Sequence, residues 1–238
     1  IDLDAAADHD SGEDQVDGFV ATWYDQSGEG NDAVQAVTSS QPKIVEAGSL
    51  LKDANDKPEV VFDGSDDRLI VADPLTNDGG LSLFIVANIP DGQADVTICR
   101  HGQANPDVSW IFQISSDAND PLSSIRCSTG TISISTAEKY TTSGGAGDNF
   151  GTQSLYGLNH ADGVGREIIV NGASQTLTLR YGTGQSSTFN SAGELSIGSN
   201  SDGTEAIEGA FSELIIYDSD QSSNRTGIEG NINTEYNI

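Results

Sequence analysis

Short β-prone runs, each closed by a cluster of Gly, Asn, Asp or Ser, recur along nearly the whole chain, and this punctuation constrains the fold more than any other feature. The runs are "FVATWYD", "PEVVFDG", "RLIVAD", "LSLFIVANI", "VTICRHG", "SWIFQISS", "SSIRCSTG", "TISIST", "QSLYGLNH", "REIIVNG", "QTLTLRY", "ELSIGSN" and "AFSELIIYD". They are rich in β-branched and aromatic residues, and turn signals such as "DGSDD", "NDGG", "HADGVG" and "NSDG" separate them. Several alternate with period two. Trp110, Phe112 and Ile114 share one face, Leu214 and Ile216 oppose Ile215 and Tyr217, and Ile168 and Val170 oppose Ile169. Such strands bury one face in a two-sheet stack. Helical spacing enters only at the end, where Ile228 and Ile232 lie four apart and the serines before Asn224 can cap a short helix. The expected fold is all-β: a two-sheet antiparallel jelly-roll sandwich with a short C-terminal helix, over residues 18–238.

The 238 residues, 35% of them hydrophobic, suffice for one sizeable core. Residues 1–17 are polar and acidic and are expected to be loosely ordered. Without methionine and opening on Ile1, the chain is expected to be a processed or partial segment. Against 10 Lys+Arg stand 37 Asp+Glu, a net charge of −27. That field repels nucleic-acid backbones and anionic membranes, so neither is an expected partner. No run approaches the roughly 20 apolar residues of a membrane span. Cys99 and Cys127 fit no zinc spacing, and a meander of their strands would keep them apart as free thiols.

Candidate chemistry sits in two acidic motifs. "YDQSGEGNDAV" carries Asp25, Asn31 and Asp32, and "FDGSDDRL" carries Asp63, Asp66 and Asp67. Calcium takes six to eight oxygens from carboxylates, amides and backbone, so these six residues are candidate calcium ligands. The alternative is local: Asp25 and Asp63 close Asx-type turns, with Gly28 and Gly30 supplying positive φ. For carbohydrate, Tyr181 in "RYGTGQSSTFN" is the candidate stacking ring, because Trp23 and Trp110 lie inside strand runs and belong to core packing. Catalytic signals are absent. No Glu-x-Asp places two carboxylates on one strand face, Glu59, Glu167, Glu194 and Glu213 stand singly, and no serine lies in a G-x-S-x-G elbow. The chain is expected not to be an enzyme.

The order of these motifs resembles the concanavalin A-like, laminin-G-like jelly rolls found as modules of secreted and phage proteins. There, a "D-x-S-G-N-G-N" loop precedes an "F-D-G-x-x-D-x-L" strand, a "V-N/D-G" hairpin and a final "E-h-x-h-Y" strand. Here the matching stretches run from Asp25 to Asn31, Phe62 to Leu69, Ile168 to Gly172 and Glu213 to Tyr217, with Glu29 where asparagine is usual. "WYDQSG" and the closing "SNRTGIEGNI" are most similar to modules of marine phage structural proteins, and "YDQSG" alone resembles fungal α-L-arabinofuranosidase catalytic domains. The resemblance implies an adhesion or decoration module on a phage particle, in a capsid or tail fibre. Its partners would be other virion proteins or cell-surface glycans, at the virion surface or outside the cell. A secreted bacterial carbohydrate-binding module is the alternative, and a diverged glycoside hydrolase the next.

Overall fold

The computed structural model describes residues 2–5, 16–72, 80–93, 95–102, 108–117, 120–129, 138–142, 149–161, 165–181 and 193–238. Its strands are β1 (Asp2–Ala5), β2 (Gly18–Trp23), β3 (Ala33–Val34), β4 (Lys43–Glu46), β5 (Ser49–Leu50), β6 (Val60–Asp63), β7 (Leu69–Val71), β8 (Gly80–Asn88) and β9 (Val96–Gly102). They continue as β10 (Val108–Asp117), β11 (Asp120–Thr129), β12 (Glu138–Thr141), β13 (Gln153–Ala161), β14 (Gly165–Val170), β15 (Ala173–Ser174), β16 (Thr178–Tyr181), β17 (Leu195–Ile197) and β18 (Glu208–Tyr217). One helix, α1 (Arg225–Tyr236), closes the chain.

Among the described residues every pair of named strands is antiparallel, and the ladders form one continuous 18-stranded network that folds as two sheets joined at a corner. The first sheet runs β15–β14–β13–β8–β18–β6, the corner is made by β4, β2 and β3, and the second runs β7–β17–β9–β10–β11–β12–β16. This is the expected all-β jelly roll with its C-terminal helix. In the acidic N-terminal segment, residues 2–5 pair with the free edge of β2, while residues 6–15 lie outside the described residues. The expected run "TISIST" also lies outside them.

Alternation decides what each face touches. Leu81, Leu83, Ile85 and Ala87 of β8 face the second sheet, in a core with Tyr156, Leu158, Ile168, Phe211, Trp110 and Phe112. Phe84 and Val86 point the opposite way and, with Leu155, meet Ile232 and Tyr236 of α1. The central strand is therefore buried on both faces, which explains why its sequence is almost continuously apolar. Leu214 and Ile216 pack on the inter-sheet core while Ile215 and Tyr217 pack under the helix, as their alternation requires.

The helix starts differently from expectation. Asn224 makes no side-chain cap, and the Ser222 amide and hydroxyl bond the Asp220 carboxylate at 3.0 and 2.9 Å instead. What anchors this end is Arg225. Its guanidinium lies 2.7 Å from Glu167 on β14 and 3.6 Å from Glu229 one turn on, which offsets a cation placed at the positive end of a helix dipole. Cys99 and Cys127 are register partners of the same residue, Phe112, from either side. Two strand spacings separate them, about 9.6 Å, beyond the reach of a disulfide. Cys99 is a buried free thiol.

Candidate functional site

Asp25 ends β2 and organises the loop that returns to β3. Its carboxylate accepts bonds from the Ser27 amide at 2.8 Å, the Ser27 hydroxyl at 2.7 Å and the Asn31 amide at 3.0 Å. Its own amide donates to Asp32 Oδ1 at 2.9 Å, and Ser27 Oγ accepts the Glu29 amide at 3.2 Å. Gly28 and Gly30 take φ of 91° and 79°, where a Cβ would be strained. The Ser27 hydroxyl first, then the Ser27 and Asn31 amides, hold the Asp25 carboxyl below its ordinary range. The stretch is thus a self-closed turn whose central acid is already saturated with donors.

Asp63, Asp66 and Asp67 are different. One oxygen from each can be chosen so that all lie within 4.8 Å of one another. Part of their bonding capacity is spent locally. Asp63 Oδ1 accepts the Ser65 amide at 2.8 Å, Asp67 Oδ2 the Asp63 amide at 3.0 Å, and Asp66 Oδ2 the Ser40 hydroxyl at 2.7 Å. Among the described bonds each carboxylate keeps its second oxygen, so three are left for a cation, with backbone and water to complete a calcium shell. Asp67 is 5% exposed, and burial first, then the Asp63 charge, pushes its carboxyl up to about 6. A divalent ion would relieve that repulsion.

Among the described residues, the acids whose oxygens gather within 4.8 Å are Asp63, Asp66 and Asp67. β3 pairs antiparallel with β7 through Val34 and Ile70. The Asp25–Asp32 loop enters β3 and therefore lies beside the far end of β7, whereas Asp63–Asp67 leads into its near end. Asp25, Asn31 and Asp32 thus adjoin one end of this short pair, and Asp63, Asp66 and Asp67 the other.

A polar rim continues from the aspartate cluster. The Arg68 amide donates to the Ser40 carbonyl at 3.1 Å, and its Nη1 to the Asp66 carbonyl at 3.3 Å. Gly203 packs against that guanidinium, and the adjoining turn brings Asp202, Asn200 and Glu205 to β9. There the Thr97 hydroxyl donates to Asn200 Oδ1 at 3.1 Å. Arg100 is 7% exposed, and burial lowers its pKa against the charges of Glu205, Asp202 and Glu194. It alternates with the core residues Cys99 and His101, so it faces away from the inter-sheet core. Gln113 is the register partner of Thr97, and among the described residues neither of its amide atoms has a hydrogen-bond partner. Sequence reasoning passed over Arg100 and Gln113. The available signal was their place on the non-core parity of "VTICRHG" and "SWIFQISS".

Tyr181 closes β16, its backbone opposite Lys139, and its side chain lies outside the described residues. Trp110 is buried and stacks on His101 with centroids 6.1 Å apart, and Trp23 packs against the core, so both tryptophans are structural.

No known family profile and no curated sequence matches the chain. Solved structures do. A GH54 α-L-arabinofuranosidase soaked with 4-nitrophenyl α-L-arabinofuranoside superposes with a TM-score of 0.61 at 16% identity, over 93% of this chain and 52% of that one. A tailspike protein of the Escherichia coli O157:H7 bacteriophage CAB120 gives 0.53 at 14% identity, over 72% of this chain and 24% of that one. The binding domain of Botulinum Neurotoxin DC, in complex with SialylT, gives 0.52 at 11% identity, over 82% and 49%. The chain spans about half or less of each of these proteins, and at such identities the likeness is one of fold.

Proposed function

We propose that this chain is a non-enzymatic glycan-binding module that serves adhesion or decoration on a phage particle, with calcium held by Asp63, Asp66 and Asp67. The observation that carries the reading is the aspartate cluster on a loop at a strand end, its carboxylates crowded and only half committed to local bonds. A cation there would leave coordination positions for sugar hydroxyls. The fold is shared with a phage tailspike and with a toxin binding domain, which supports adhesion on a particle or outside a cell. It is also shared with an arabinofuranosidase, so hydrolysis belongs among the tests.

A glycan array run with calcium and with chelator, beside a reducing-sugar assay on every retained glycan, tests the reading. Retention that chelator abolishes, with no sugar released, is the expected result. A bound ion should also raise the melting point, by about 2.7 kcal/mol of stability at a hundredfold excess over Kd. A melting point unmoved by chelator removes calcium from the proposal, and sugar release removes the non-enzymatic part. Copurification with capsid or tail proteins at fixed stoichiometry separates the phage module from a secreted bacterial carbohydrate-binding module.

A further inference from the structure

A cleft of about 510 Å³ opens on the outer face of the first sheet, just past the end of α1. Its volume falls within the roughly 300–1,000 Å³ of small-ligand sites. Register explains its floor. Gln153 of β13 is the direct partner of Asn88 on β8. Both have the parity of Leu155 and Val86, which face the helix. Glu59 precedes β6 with the parity opposite to the core residues Val60 and Phe62. The walls are the Lys52–Asn55 turn, the Gly151–Thr152 turn, and Asn237 with Ile238. The aspartate cluster at Asp63 stands at the other end of β6.

Some groups in this cleft are fixed and others are uncommitted. Asp53 is saturated: Oδ1 accepts the Asn55 and Lys57 amides at 2.8 and 2.9 Å, and Oδ2 accepts Ser212 Oγ at 3.2 Å and Gln153 Nε2. Asn55 Nδ2 bonds Gln153 Oε1 at 3.1 Å and the Tyr236 carbonyl. The nearby cations are spent on the rim, Lys52 on Asp56 at 2.8 Å and Lys57 on Glu235. By contrast, among the described residues the Glu59 carboxylate accepts no hydrogen bond and the Asn88 side chain makes none. Glu59 is half-buried, and burial first, then the Asp53 charge, raises its carboxyl above the ordinary range.

We infer that this cleft is a binding site for a hydroxyl-rich sugar ring carrying no negative charge, with the Glu59 carboxylate as its acceptor and the Asn88 amide as its second contact. A carboxylate with no donor gains from a hydroxyl or ammonium, and an amide can both give and accept across adjacent sugar hydroxyls. Uronic or sialic sugars are disfavoured, because the one described cation lining the cleft, Lys52, is paired with Asp56, the Glu59 carboxylate lines it too, and the chain carries −27. An apolar ligand would strand the polar floor. Among the described residues no aromatic ring lines the cleft, so binding rests on hydrogen bonds. This site is separate from the aspartate cluster and does not depend on it.

The test is amide NMR of the full chain titrated in parallel with maltose, cellobiose, glucosamine, glucuronate and calcium chloride. Maltose, cellobiose or glucosamine should shift the amides of Asn55, Asn88 and Gln153, and glucuronate should leave them in place. Glu59→Gln should weaken that binding roughly tenfold, as expected for losing one charge-assisted bond, while its melting point confirms that it folds. Asn88→Ala provides the second variant. The inference fails if no uncharged or amino sugar moves the cleft amides, if glucuronate moves them equally, if calcium alone moves them, or if both variants bind as the parent does. Sugar-induced shifts confined to Asp63–Asp67 would sink this site and leave the proposed function standing.

Discussion

Tyr236 shows how one side chain ties the helix to the charge of the molecule. Its ring is buried against the first sheet, and its hydroxyl donates to the Ser212 carbonyl at 3.3 Å. Burial first, then the charges of Glu213, Asp53 and Glu235, pushes its pKa up from 10.0 to about 12. A phenol whose folded pKa lies above its unfolded value stabilises the fold fully below about pH 10 and loses that contribution as the pH rises through about 12, a difference of about 3 kcal/mol. Denaturant unfolding should therefore show stability falling between about pH 10 and 12 in the parent, beyond the fall seen in Tyr236→Phe. Parallel profiles for the two proteins would mean that Tyr236 ionises freely. At this scale the sequence was legible where bonds are local. Asp25, Gly28 and Gly30 could be read as a turn because their partners lie within a few residues. Asp67 and Glu59 could not be told from other acids, because their burial is set by strands distant in sequence.

The helix matters because it covers the back of β8. Ile232 and Tyr236, one turn apart, seal Phe84, Val86 and Leu155, with Ile215 and Tyr217 packed at the margin. Ile232 is 4% exposed, so truncation leaves a cavity that the sheet below cannot fill. Ile232→Ala should cost about 2–4 kcal/mol in denaturant unfolding. A loss below about 0.5 kcal/mol, the range of exposed substitutions, would show that the helix does not dock on the sheet in solution. The long strands were readable because β8, β10, β13 and β18 carry unbroken alternation or continuous apolar runs. β3, β5 and β15 have two residues each, too few for a period, and exist because a neighbouring strand offers its ladder. The missing side-chain cap at Asn224 has a similar cause. Glu167 on β14 holds Arg225 at this end, a tertiary contact that the local sequence does not show.

For the whole molecule, the order of motifs conveyed the jelly roll, but composition left open where its charge would go. The described cations are largely spent on nearby acids: Lys43 on Asp17 at 2.8 Å, Lys52 on Asp56 at 2.8 Å and Arg225 on Glu167 at 2.7 Å. Even if each of the 10 Lys and Arg neutralised one acid, 27 carboxylates would remain. An exposed pair such as Lys52–Asp56 contributes little, and screening weakens it further. Repulsion among the remaining acids acts over the whole surface and opposes the compact state. Raising NaCl from about 0.01 M to about 0.5 M shortens the Debye length from about 30 Å to about 4 Å, which removes most of that repulsion while leaving buried contacts in place. The melting point, measured with chelator present so that no divalent ion contributes, should therefore be higher in about 0.5 M NaCl. KCl should act equally, since screening depends on ionic strength rather than on the ion. A flat or falling dependence would mean that the acids are compensated locally, by ion pairs strong enough that screening them costs as much as it relieves.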